Sequence, residues 1–121
     1  MSKSEGIQIA ETIRSQIHSM ILDCAGAYDF TAQSQDKDYR GGLGFKIQNT
    51  SKYTNATVII LLTWADDYTI KLYNSINELI DTKERVYADE LSDLLETMWE
   101  TQETKKIWDK NKRFEMKIIT Q

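Results

Sequence analysis

Asp89, Asp93, Glu96, Glu100 and Glu103 recur at steps of three or four residues in the last third of the sequence. On a helix over residues 87–103 they gather on one side, at about 100° per residue, while Leu91, Leu94, Leu95 and Met98 fall on the other. Acids spaced in this way rise about 5 to 6 Å per step. They form a linear anionic track able to occupy a cationic nucleic-acid channel on a partner protein. The plainer reading is a solvated helix face, whose early acids also suit the positive end of the helix dipole.

No other cluster spells out a reaction. Asp66-Asp67 sits between two strand-like runs, where Asp favours a turn through local backbone hydrogen bonds; exposed there, the pair joins the stripe as a candidate contact. His18, the only histidine, falls beside the apolar side of a helix, and Cys24 is six residues away, off its face. Cys24 itself falls on the apolar face and reads as a buried structural thiol. One Cys and one His cannot close a structural zinc site, and no phosphate-cradling glycine loop precedes a helix. No catalytic, metal or cofactor-binding residue is therefore expected, and the protein reads as no enzyme. Trp64, Trp99 and Trp108 read as core or boundary aromatics. Tyr68 and Tyr73 fall on opposite faces of one strand, so one belongs to the core and the other to the surface.

Charge is unevenly spread over the 121 residues, whose net value is −4. Residues 84–103 hold seven acids against Arg85 alone, whereas Lys105, Lys106, Lys110, Lys112, Arg113 and Lys117 face only Asp109 and Glu115. A tail of that sign folding back on the stripe is the main rival to a partner. It also keeps alive a direct nucleic-acid contact, although such binding asks for a larger basic surface. A lone cysteine and an N-terminal stretch broken by polar groups point to a reducing cytoplasm, without an export signal or membrane span. With no proline, turns must come from Gly, Asn and Asp.

These side chains need a scaffold, and the periodicities supply one. Ser4 to Cys24 is predicted as the first helix, with Ile9, Ile13, Ile17, Met20, Ile21 and Cys24 on its apolar side and Gly26 ending it. Residues 27–33 read as a short strand with Tyr28 and Phe30 on one face. Leu43, Phe45 and Ile47 alternate in a second strand. The run Thr57 to Trp64, β-branched and apolar on both faces, reads as the middle of the sheet, covered on both sides. Tyr68, Ile70 and Leu72 complete a hairpin, and Asn74 to Arg85 reads as loop with a short strand. After the acidic helix, a short helix at Lys105 to Trp108 and a strand at Phe114, Met116 and Ile118 are predicted. The expectation is a single α+β domain over residues 1–121, an antiparallel sheet of four to five strands on two main helices, in the order α-β-β-β-β-α-(α)-β.

The pieces Gly42-Leu-Gly-Phe-Lys-Ile, Val58-Ile-Ile-Leu-Leu, Asp66-Asp-Tyr-Thr-Ile and Val86-Tyr-Ala-Asp-Glu-Leu, over about residues 7 to 100, resemble a group of small phage and mobile-element proteins. The chain departs from that pattern after Trp99. The resemblance implies accessory genes of a class that includes anti-CRISPR and other counter-defence proteins, and no catalytic residues. The expected function is a non-enzymatic inhibitor that binds a host defence effector through Asp89, Asp93, Glu96, Glu100, Glu103, Asp66 and Asp67. The alternatives are a protein that self-assembles through an exposed strand edge, and a small-ligand or enzymatic domain with a pocket near His18, Tyr28 or Asp66-Asp67.

Overall fold

Alternation along Leu43, Phe45 and Ile47 places one side of their strand in the core, and the rest of the sheet assembles on that side. The computed structural model describes residues 5–100. It contains α1 (Glu5–Gln16), α2 (Ser19–Ala25), β1 (Tyr28–Gln33), β2 (Tyr39–Ile47), β3 (Ala56–Thr63), β4 (Tyr68–Tyr73) and β5 (Leu79–Val86), then a 3-10 turn (Ala88–Glu90) and α3 (Leu91–Trp99). The five strands lie in chain order, each antiparallel to its neighbours. This is the mixed α+β class expected, with helix first, strands in sequence and a helix after them.

β3 is the central strand, as its apolar run requires, but the described helices cover it on one side only. Val58 and Ile60 are buried, whereas Ile59 and Leu61 on the opposite face stay half-exposed. The covered side pairs Phe45 with Val58 and Leu72 across three strands, and Leu43 with Ile60 and Ile70. Ile13 from α1, Leu22 and Ala25 from α2, and Leu91, Leu95 and Trp99 from α3 join the same core. Each such large apolar side chain contributes about 1.5–3 kcal/mol on burial.

The single N-terminal helix expected through Cys24 is two helices. Ile17 closes α1 on the Arg14 carbonyl, and His18 turns to φ −58°, ψ 126° to cap α2, its Nδ1 accepting from the Met20 N–H at 3.2 Å. The break shifts the helical phase, so Ile17, Leu22 and Ala25 are buried while Met20 and Cys24 face outward. Cys24 is therefore an exposed thiol and not the buried one its spacing predicts, and His18 is an exposed cap. Its own N–H donates to Ser92 Oγ at 2.9 Å, tying the break to α3. Gly26 ends α2 in the left-handed region at φ 66°, as glycine does without steric cost.

Tyr28 and Phe30 do not share a face. Asp29 adopts φ 55° within a bulge, so Tyr28 lies opposite Lys46 and Thr31 opposite Gly44. Phe30 turns to the core side and stacks on Phe45 at 5.3 Å, with the Arg14 guanidinium 3.8 Å from its ring centre. Residues 74–85, expected as loop with a short strand, form a turn held by Asn74 and then the eight-residue β5. The acidic helix is shorter than residues 87–103. A 3-10 turn precedes α3, which ends at Trp99 before Glu100 becomes extended at φ −112°, ψ 146°. The helix expected at Lys105–Trp108 and the strand at Phe114–Ile118 lie outside the described residues.

Candidate functional site

Two strand ends bring three of the candidate acids, Asp66, Asp67 and Asp89, to one end of the sheet. β3 and β4 are joined by a hairpin in which Thr63 Oγ1 donates to Asp67 Oδ1 at 2.6 Å and Asp66 adopts φ 67°. This is the turn chemistry that Asp favours. Asp66 Oδ1 also accepts from Arg40 Nη1 at 2.7 Å, and the same guanidinium reaches Glu5 at 3.3 Å. One cation thus bridges two carboxylates. Tyr68, which follows the hairpin, pairs with Val86, so the residues after β5, Tyr87 and Asp89, lie at the same end as Asp66 and Asp67.

Two exposed aromatics stand with these acids. Trp64 in the hairpin is 54% exposed and Tyr87 is 56% exposed. Sequence reasoning reads Trp64 as core or boundary because it continues the apolar run of β3; the hairpin ends that run one residue earlier. No local signal marks Tyr87 either, since its exposure depends on where β5 meets α3.

From Asp89 the acidic line follows α3 along the sheet, and its members separate in role. Asp89 and Asp93 are exposed and Glu96 is half-buried. Glu90, also acidic, is used locally, its Oε1 accepting the Tyr87 N–H at 2.9 Å. Glu100 is committed at the opposite end of the sheet, where Oε2 accepts from Ser51 Oγ at 2.7 Å and from the Ser51 N–H at 3.2 Å. Beside it Lys52 Nζ donates to the Thr97 carbonyl at 3.4 Å. Glu103 lies outside the described residues, as does the basic tail. What the register brings to one end of the sheet is Asp66, Asp67 and Asp89 with exposed Trp64 and Tyr87, while Asp93 and Glu96 follow on α3.

No protein family, curated protein or solved structure matches the chain. Among the described residues no group of three or more His, Cys, Asp or Glu converges as a metal site, and no buried side-chain nitrogen or oxygen lacks a hydrogen-bond partner. None of the described helices is long and apolar enough to cross a membrane.

A cleft of about 240 Å³ opens between α1 and the sheet, lined by Glu5, Gln8, Thr12, Arg40 and Tyr68. The Tyr68 hydroxyl donates to Gln16 Oε1 at 2.6 Å. Burial raises the Tyr68 hydroxyl above its ordinary value of 10.0, and the Gln16 hydrogen bond partly offsets this. A raised folded-state value stabilises the fold in full below the unfolded-state value of about 10, and that contribution is lost as pH rises through the folded one. Urea unfolding at about pH 8 and about pH 11 should therefore show an alkaline loss of stability in the native chain that is smaller in Tyr68→Phe. Equal losses in both chains would remove Tyr68 as its source.

Proposed function

We propose that the chain is a non-enzymatic protein-binding module that inhibits a host defence effector by occupying a basic, nucleic-acid-binding groove. The observation that carries this reading is that exposed Trp64 and Tyr87 stand with Asp66 and Asp89 at one end of the sheet, from which Asp93 and Glu96 continue along α3. Aromatic anchors beside a polar rim are the usual anatomy of a binding patch, and acids on the rim steer a cationic partner. The phage-like motifs of the strands and of the α3 start support the counter-defence context. Self-association through a strand edge has less support. Both edge strands, β1 and β5, carry a non-glycine residue with positive φ at a register shift, Asp29 and Arg85. Bulges of that kind turn an edge away from further pairing.

A tagged chain retained on resin with nuclease-treated host lysate tests the reading. One stoichiometric partner that itself binds nucleic acid, and that is released at high salt, is the expected result. Joint reversal of Asp89, Asp93 and Glu96 to Lys should weaken that partner by about 10- to 100-fold, and Trp64→Ala by about tenfold or more. Unchanged capture by both variants would sink the proposed surface. Recovery of the chain alone would sink the inhibitor reading.

A further inference from the structure

The end of the sheet that carries Trp64 and Tyr87 offers two kinds of open surface, aromatic faces and carboxylate oxygens. Trp64 follows β3 directly and Tyr87 follows β5, and more than half of each is exposed. Leu62, Tyr68 and Val86 pair across β3, β4 and β5, so the strands that the two aromatics continue lie about 10 Å apart, two strand spacings. Neither ring stacks on another ring or lies under a cation among the described residues. The carboxylates keep open positions too. Asp67 uses Oδ1 for Thr63 and Asp66 uses Oδ1 for Arg40, while Oδ2 of each and both oxygens of exposed Asp89 take no hydrogen bond or ion pair from the described residues. Nor does Arg85, two residues before Tyr87, close on any of them.

We infer, building on the proposed binding surface, that what it takes from its partner is a protein segment bearing arginines. One guanidinium lies on Trp64 with its N–H edge toward Asp66 and Asp67, and a second lies on Tyr87 beside Asp89. Charge selects a cation and turns away an anion such as a phosphate. The rings then select among cations. A guanidinium is planar and weakly hydrated, so it stacks on an aromatic face while its fork of donors meets a carboxylate edge-on. A lysine ammonium is compact and strongly hydrated and gains less from the ring.

Both halves of such a contact already occur within the chain. Asp66 accepts from the guanidinium of Arg40 at 2.7 Å, so this hairpin carboxylate is presented in a way that an arginine can meet. Elsewhere the Arg14 guanidinium lies 3.8 Å from the centre of the Phe30 ring. The spacing of the two aromatics adds a rule for the segment. About 10 Å is the reach of about three residues of extended chain, so two arginines three positions apart suit the pair of rings.

Two capped peptides of equal charge test the inference, one of repeated Arg-Gly-Gly and one of repeated Lys-Gly-Gly, each titrated calorimetrically against the full chain at about 0.15 M salt. The arginine peptide should bind about tenfold tighter. Trp64→Ala combined with Tyr87→Ala should bring it down to the affinity of the lysine peptide, which itself changes little because the carboxylates remain. Should that double variant fail to fold, Trp64→Leu alone should reduce the preference to about threefold. Equal affinities on the native chain overturn the inference, as does an arginine preference that survives the loss of both rings, or no binding of either peptide. Capture from host lysate reports separately on the proposed function. A captured partner with equal peptide affinities would remove arginine as the group recognised and leave the inhibitor reading standing. An arginine preference lost with the rings, but with no captured partner, would support the inference and sink that reading.

Discussion

Replacing Trp99 with Ala is expected to lower the unfolding free energy by about 3–5 kcal/mol, a large part of the roughly 5–15 kcal/mol that holds an ordinary domain together. Trp99 is 1% exposed and meets Phe45 edge-on at 6.2 Å between ring centres. It is the last residue of α3 and fastens that helix to the sheet. Phe45 is in turn held from the other side by Phe30, which the Arg14 guanidinium covers. Truncation would therefore open a cavity against a stacked aromatic row that has little freedom to collapse into it. The Trp99 carbonyl also accepts the Lys52 N–H at 3.1 Å, so any shift of the α3 end disturbs the β2–β3 connection. Urea unfolding followed by far-ultraviolet circular dichroism measures the loss. A drop below about 1 kcal/mol would mean that α3 is not fixed through this contact.

Gly42→Ala is expected to destabilise by about 1–3 kcal/mol or more, whereas Gly44→Ala, two residues along the same strand, should change little. The contrast comes from what each new methyl group would meet. At Gly42 an ideal Cβ lies 2.3 Å from the Ile60 carbonyl oxygen and 3.1 Å from the Leu61 Cα, both backbone atoms of the central strand. Relief requires β2 and β3 to separate. At Gly44 the nearest atoms are Gln33 Nε2 at 2.6 Å and Thr31 Oγ1 at 2.9 Å. Both are side-chain ends on the edge strand β1, able to swing aside. Thermal unfolding of the two variants in parallel tests this, and equal losses would contradict it.

The middle of the sheet was legible because its signals are local. Leu43, Phe45 and Ile47 alternate, the β3 run is long and β-branched, and Tyr68, Ile70 and Leu72 alternate again. β5 was not, because an edge strand with little burial on either side has no reason to alternate, and Asp81 to Arg85 are all polar or charged. The break at His18 has no local signal, since Ile17, Met20 and Cys24 continue a helical spacing right across it. A single cap hydrogen bond and the long-range link to Ser92 decide the matter. That the described helices cover only one side of β3 is equally invisible, because its apolar residues on both faces read alike in sequence. At the candidate site, Asp66 and Asp67 are the turn residues their types indicate. The use of Glu100 by Ser51, 49 residues away, and the exposure of Trp64 depend on tertiary placement that no local pattern encodes.

Because the strands stand in the sheet in the order in which they occur in the chain, the protein can be assembled as it is made. Each strand that leaves the ribosome finds its neighbour already waiting, and no strand has to be inserted between two that have paired. Short closures of this kind keep contact order low for a β-rich domain and favour rapid folding. The layer that seals the core arrives last: Leu91, Leu95 and Trp99 lie at the C-terminal end of the described chain, yet they cover Phe45 and its neighbours. During synthesis the meander exists for a time with part of its apolar side bare. The bulges at Asp29 and Arg85 turn the two edges of that sheet away from pairing with another chain, before and after α3 covers its face.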